Sequence, residues 1–89
     1  MDRRILKYKL AATPAILQRV ALTGAYGVAL SVGMQDHGLV VWVSEDVTPT
    51  KERGYLDLML VRTGQAPPDG RFIGTVVSGI VWHLWEVTA

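Results

Sequence analysis

Eight residues carry the side-chain types that recognition chemistry needs: Tyr55, the run Arg62, Thr63, Gly64 and Gln65, then Arg71, Trp82 and His83. Arginine presents a planar fork of donors that matches phosphate. A glycine at a strand end lets backbone donors approach an anion closely, and aromatic faces such as Trp82 and Tyr55 can stack on a base. Together they describe a site for a phosphorylated, nucleotide-type small molecule. The plainer alternative stays open, in which Arg62–Gln65 is an ordinary exit from a strand and the aromatics pack a core or an interface.

Catalysis finds less support. His37 and His83 stand 46 residues apart, and Asp36, Asp57, Asp69 and Glu86 fall at no spacing expected of an acid/base pair. There is no phosphate loop with its lysine, no dinucleotide fingerprint, no pair of histidines at metal-ligand spacing and no nucleophile elbow. With no cysteine, a thiolate zinc site is excluded. The expectation is a non-enzymatic binding protein with no catalytic residue, metal or cofactor; an enzyme pairing His83 with Asp57 or Glu86 is the minor alternative.

The elements that must position these residues read as strands. Arg3–Leu10 alternates, with Ile5, Lys7 and Lys9 on one side and Leu6, Tyr8 and Leu10 on the other, the period of a half-buried strand. Residues 14–22 are ambiguous between a short helical turn after Thr13-Pro14 and a strand over Leu17–Leu22. Val28, Leu30, Val32 and Met34 alternate towards Asp36-His37-Gly38, and a hairpin returns through Leu39–Ser44. A three-residue turn with Gly38 left-handed would pair Gly33 with Val41, Ser31 with Val43 and Val32 with Trp42. Glu45–Gly54 reads as an exposed polar loop, and Tyr55–Thr63 as a strand with Leu56, Leu58 and Leu60 on one face.

After the Pro67-Pro68-Asp69-Gly70 turn, Ser78-Gly79 divides two β-forming runs. A two-residue loop there pairs Val77 with Ile80, Thr75 with Trp82, Gly74 with His83, Ile73 with Leu84, Phe72 with Trp85 and Arg71 with Glu86. Both faces of this hairpin are apolar: Phe72, Val76, Val81, Trp85 and Val87 on one, Ile73, Val77, Ile80, Trp82 and Leu84 on the other. The reading is a single all-β domain over residues 1–89, mainly antiparallel, a small barrel or sandwich of about six to seven strands.

Composition sharpens that picture. The chain of 89 residues is 49% apolar and only 19% charged, and area scaling leaves it roughly 64% of its extended surface to bury. Such a core is modest, and no disulfide supports it. Covering an apolar hairpin on both faces then calls for a second subunit, so a homo-oligomer, a dimer or higher, is expected. The longest uncharged run, Val20–Gln35, is too short and too polar for a membrane span, and Lys7 and Lys9 break any signal-peptide core. A cytoplasmic, membrane-free protein is expected. Five cations against Asp2 in residues 1–19 make a weak basic stretch in a chain of net charge +1, which ranks nucleic acid low among partners.

The residues Leu6-Lys7-Tyr8-Lys9-Leu10, Ala29-Leu30-Ser31-Val32, Val41-Trp42-Val43, Arg62-Thr63-Gly64-Gln65, Phe72-Ile73-Gly74-Thr75-Val76 and Val81-Trp82-His83-Leu84-Trp85-Glu86 resemble a family of short proteins encoded by bacteriophages and prophages. Its closing hairpin, Ile-Gly-Thr followed by Val-Phe-His-Val-Phe-Glu, is the specific part of the likeness, which spans nearly the whole chain. Here Gln65 stands where the family tends to have histidine, tryptophans replace phenylalanines in the last strand, and the segment Val20–Tyr26 is longer. The resemblance implies an extended conformation for Leu17–Leu22, and no residue role is carried over from it. By analogy with small phage accessory proteins, it implies a role in blunting host defence, by sequestering a nucleotide signal or by docking a host or virion protein.

Overall fold

A computed structural model describes residues 2–88. The chain forms seven strands: β1 (Arg3–Leu10), β2 (Leu17–Ala21), β3 (Tyr26–Gln35), β4 (Gly38–Asp46), β5 (Tyr55–Arg62), β6 (Gly70–Ser78) and β7 (Ile80–Val87). Within the ambiguous segment 14–22, Leu17–Ala21 is therefore a strand, and Pro14 makes an isolated bridge to Leu60. A three-stranded sheet in the order β1-β4-β3 faces a four-stranded sheet in the order β2-β5-β7-β6, and all pairs are antiparallel. The all-β expectation holds, with no helix among the described residues.

Period-2 patterning builds the core. Leu39, Val41 and Val43 of β4 face Leu56, Leu58 and Leu60 of β5 and Leu84 and Trp82 of β7, all buried in one cluster. Leu10 and Val20 join it, with Tyr8, Val32, Ile73 and Val76 half-buried around the margin. The loop before β2 is pinned by a side chain: Gln18 Oε1 accepts from the Ala11 N–H at 2.8 Å, while its Nε2 donates to the Ala11 carbonyl at 2.6 Å. These two hydrogen bonds close residues 11–18 into a loop that carries the chain from one sheet to the other.

Three details of register differ from the sequence reading, each for a local backbone reason. In the β3–β4 hairpin, Gln35 pairs with Gly38, and Asp36 and His37 carry positive φ of 51° and 65°. This is the pattern of a type I′ turn, whose twist suits a hairpin. Gly38 is not left-handed, so Ser31 meets Trp42, Val32 meets Val41 and Gly33 meets Val40. A bulge between Ala29 and Ser31 then turns Leu30 outwards, 47% exposed, while Ala29 is buried.

The β6–β7 hairpin closes more tightly than expected. Ser78 pairs with Ile80 around Gly79 at φ 75°, which puts Val77 opposite Val81, Val76 opposite Trp82, Thr75 opposite His83 and Gly74 opposite Leu84. A bulge between Phe72 and Gly74 absorbs the offset, so the expected pairs Phe72–Trp85 and Arg71–Glu86 do form. Because a bulge changes which face a side chain takes, Ile73 and Val76 both pack inward and Val76 shares a face with Trp82. Finally, Glu45 lies in β4 and is fully buried, not in an exposed loop.

The two bulges lie where β3 approaches β6. There Arg71 Nη2 donates to the Ala29 carbonyl at 2.9 Å and to Glu86 Oε1 at 3.1 Å, tying the sheets together. Gly70 is required at this corner, since a Cβ would sit 1.9 Å from the Glu86 carbonyl oxygen.

Candidate ligand-binding site

The outer face of the four-stranded sheet, away from the core, carries His83 and is bordered by the turn that follows β5, whose first residue, Arg62, pairs with Trp82 and takes the opposite parity at the exposed strand end. Arg62–Gln65 forms a tight turn at the end of β5: the Gln65 N–H donates to the Arg62 carbonyl at 3.0 Å, and the Arg62 N–H donates to Gln65 Oε1 at 2.7 Å. Gly64, at φ 96°, occupies the position of a type II turn that demands left-handed backbone. The glycine thus serves the turn, and its outer side is open, with no atom within 4 Å of where a Cβ would stand.

His83 projects beside this turn from the middle of β7, opposite Thr75. Thr63 Oγ1 lies 2.9 Å from its Nε2 and Thr75 Oγ1 lies 2.9 Å from its Nδ1. Each hydroxyl can donate or accept, so the ring is held upright in either tautomer. The contact between Thr63 and Nε2 has the spacing of a nucleophile and its base. Nδ1, however, meets a hydroxyl where a triad would place a carboxylate, so the cluster offers polar hydrogen-bonding groups and no oriented general base.

Phe72 and Trp85 complete the wall, their ring centroids 5.4 Å apart at an interplanar angle of 60°, a tilted contact typical of aromatic pairs. With Val61, Arg62, Thr63, Gly64, Gln65, Pro67 and His83 they line a shallow cleft of about 210 Å³. A cleft that small falls below the range of sites that enclose a drug-sized ligand, about 300–1,000 Å³.

Three of the sequence-selected residues lie elsewhere. The Trp82 ring is in the core, 5% exposed, on the opposite face of β7 from His83; the sequence pairing left this side open, and strand alternation decides it. Arg71 is the inter-sheet strap at the bulged corner. Tyr55 begins β5, at the far end of that strand from Arg62, and the Arg19 guanidinium stacks on its ring at 3.7 Å. Arg19 also forms a two-bonded pair with Asp57, at 2.8 and 3.1 Å. That guanidinium holds the Asp57 carboxyl below its ordinary value of 3.8.

A second polar centre was invisible to motif reading. Glu45 Oε1 accepts the Thr23 and Gly24 N–H groups at 2.8 and 3.0 Å, and Oε2 accepts the Tyr8 hydroxyl. Burial first, and then that hydrogen bond, raises the Tyr8 pKa above 10.0. Its only trace in the sequence is parity, because Glu45 continues the inward series Leu39, Val41, Val43. It organises the β2–β3 loop, where the Leu22 N–H donates to Gly54 and the Gly54 N–H to Gly24, at 3.0 and 2.8 Å.

Among the described residues, no group of three or more histidine, aspartate or glutamate side chains could hold a metal ion, and no helix is long and apolar enough to cross a membrane. No curated protein and no solved structure matches the chain. A protein-family model does: it spans residues 1–89 and is described as domain of unknown function DUF7352. The chain, an all-β sandwich with its polar turn and aromatic pair on one sheet face, belongs to that family.

Proposed function

We propose that this protein is a non-enzymatic, cytoplasmic binding protein that pairs with a second copy of itself and holds a phosphorylated, nucleotide-type small molecule against the Arg62–Gln65 turn. The observation that carries the reading is the convergence of this turn, His83 between its two threonines, and the Phe72–Trp85 pair on one cleft. Arg62 offers charge for a phosphate, the threonines and imidazole offer neutral hydrogen bonds, and the aromatic pair offers a face for a base. One cleft of about 210 Å³ would cover only part of such a ligand, and a facing copy would double its walls. The likeness of the closing hairpin to phage-encoded proteins supports a counter-defence setting, in which the ligand is a signalling nucleotide that is sequestered.

Titration calorimetry against cyclic and ADP-ribose-type nucleotides tests this reading. Heat of binding that is lost in Arg62→Ala is the expected result. Absence of heat across the panel rejects it.

A second reading rests on a separate observation. The row Leu17–Met59–Trp85–Phe72 runs across all four strands on this outer face, with Leu17 and Phe72 about half exposed. Such a row also fits docking of a host or virion protein on the sheet. A stoichiometric partner recovered by pull-down, and lost in Phe72→Lys, would favour it.

A further inference from the structure

The opposite side of the molecule carries a different surface. On the outer face of the β1-β4-β3 sheet, strand pairing sets Lys7 beside Trp42 and Ser31, Lys9 beside Val40 and Gly33, and Arg3 beside Asp46 and Tyr26. The cations come from the amino-terminal stretch and the tryptophan from the middle of the chain. Only pairing of β1 with β4 makes them neighbours.

The small residue Gly33 lets the indole lie down on the sheet. A Cβ there would approach the Trp42 ring to 2.8 Å, so any larger residue would displace the ring from its seat on β3. Tyr26 stands on the same face, 61% exposed, with the Arg3 guanidinium 6.0 Å from its ring centroid. Trp42 and the Tyr26 partner Asp46 are four residues apart on β4, about 14 Å along a strand. That separation leaves room for two distinct stacking positions.

The charge is available for a ligand. Among the described residues the ion pairs are Arg19–Asp57 and Arg71–Glu86, and none involves Arg3, Lys7 or Lys9. Lys7 donates to the Gln35 amide oxygen, and Arg3 donates to the Ser44 carbonyl and hydroxyl at 3.0 Å each. The acids on this side are Asp46, whose carboxylate accepts the Thr48 N–H at 2.9 Å, and Asp36 in the hairpin turn. Positive charge on this face of β1 therefore comes from Arg3, Lys7 and Lys9, with the exposed Ile5 between the first two and aromatic and small residues on the neighbouring strands.

We propose that this face binds single-stranded nucleic acid, with bases stacked on Trp42 and Tyr26 and the backbone tracking Lys7, Lys9 and Arg3. Stacking platforms flanked by cations that track the backbone bind single strands with little sequence preference. A near-neutral composition excludes the broad field of a duplex binder. It leaves a short local platform intact.

The test is fluorescence anisotropy of labelled oligo(dT) and oligo(U) of about 12 nucleotides, titrated with the full chain at about 50 mM salt and upwards. Both strands should bind, and a duplex of the same length should bind at least about tenfold more weakly. The double variant Lys7→Gln/Lys9→Gln alters exposed side chains only; it should lower the slope of log K against log salt by about 1.4, as for two lost phosphate contacts on a single strand. Trp42→Leu should weaken binding by about 10-fold or more, with the far-UV spectrum confirming the fold. Failure of the wild-type chain to bind either strand, equal affinity for duplex, or unchanged binding by the folded lysine variant would overturn the proposal.

Discussion

Three side chains, Glu45, Tyr8 and Asp57, define what single residues do here, and none acts through a motif. Glu45 is a buried carboxylate whose oxygens accept two backbone N–H groups and a phenol. Glu45→Leu would leave those N–H groups buried without an acceptor, a loss of about 3 kcal/mol readable in urea unfolding. Its partner Tyr8 should show in the alkaline limb of stability. A phenol whose folded-state pKa is raised keeps its full contribution below the ordinary 10.0 and loses it as pH rises through the raised value. Chemical unfolding from pH 8 to pH 11 should therefore fall more steeply for the wild-type chain than for Tyr8→Phe. Asp57 works in the other direction, since Arg19 lowers its pKa. Its contribution is present above 3.8 and disappears as pH falls through the lowered value, a step that Asp57→Asn should lack.

At the scale of elements, the hairpin turns govern register, and the β3–β4 turn does so with residues that pay a conformational cost. Asp36 and His37 both adopt positive φ, a region that suits Asn-Gly far better. Replacing Asp36-His37 with Asn-Gly relieves left-handed strain of about 1–2 kcal/mol at a non-glycine residue, offset by about 0.5–1 kcal/mol for the extra chain entropy of glycine; the net gain of about 0.5–1 kcal/mol should raise Tm by about 2–8 °C for a domain of this size. An unchanged or lower Tm would mean that these side chains make stabilising contacts outside the turn. The bulges at Leu30 and Ile73 have a structural use as well, because they bring β3 and β6 close enough for Arg71 to bridge them.

The whole molecule presents two unlike outer faces. One carries exposed apolar side chains, Phe72, Val77 and Leu17, between 48% and 71% exposed, around the Arg19–Asp57 pair and His83; the other is cationic and aromatic. A sheet that faces water normally alternates apolar-in with polar-out, and the four-stranded sheet departs from this on its outer side. Self-association through that side follows from the proposed pairing. Light scattering at micromolar concentrations should give a dimer mass, and Phe72→Lys/Val77→Lys should give a folded monomer. A wild-type monomer at high concentration would remove the second copy from the binding scheme.

The all-β class was legible from alternation alone: β1 and β5 place Leu6, Tyr8, Leu10 and Leu56, Leu58, Leu60 inward as period 2 requires. The Phe72–Trp85 and Arg71–Glu86 pairs were legible too, from complementary side chains at the open end of a hairpin. Turn geometry was not, because residue preference favours a left-handed Gly38 while the twist of the paired strands favours the two-residue turn that puts Asp36 and His37 at positive φ. One bulged residue at position 73 then moved Val76 to the same face as Trp82 and left Thr75, not Gly74, beside His83. The sequence by itself determined the all-β class, every strand but β2, and the apolar surplus. Only the tertiary structure decided which face each side chain occupies, that Trp82 fills the core, that Glu45 is buried and that β1 cations stand beside Trp42. The physical reason is that these depend on register and strand order, which are set by contacts between residues far apart in the chain.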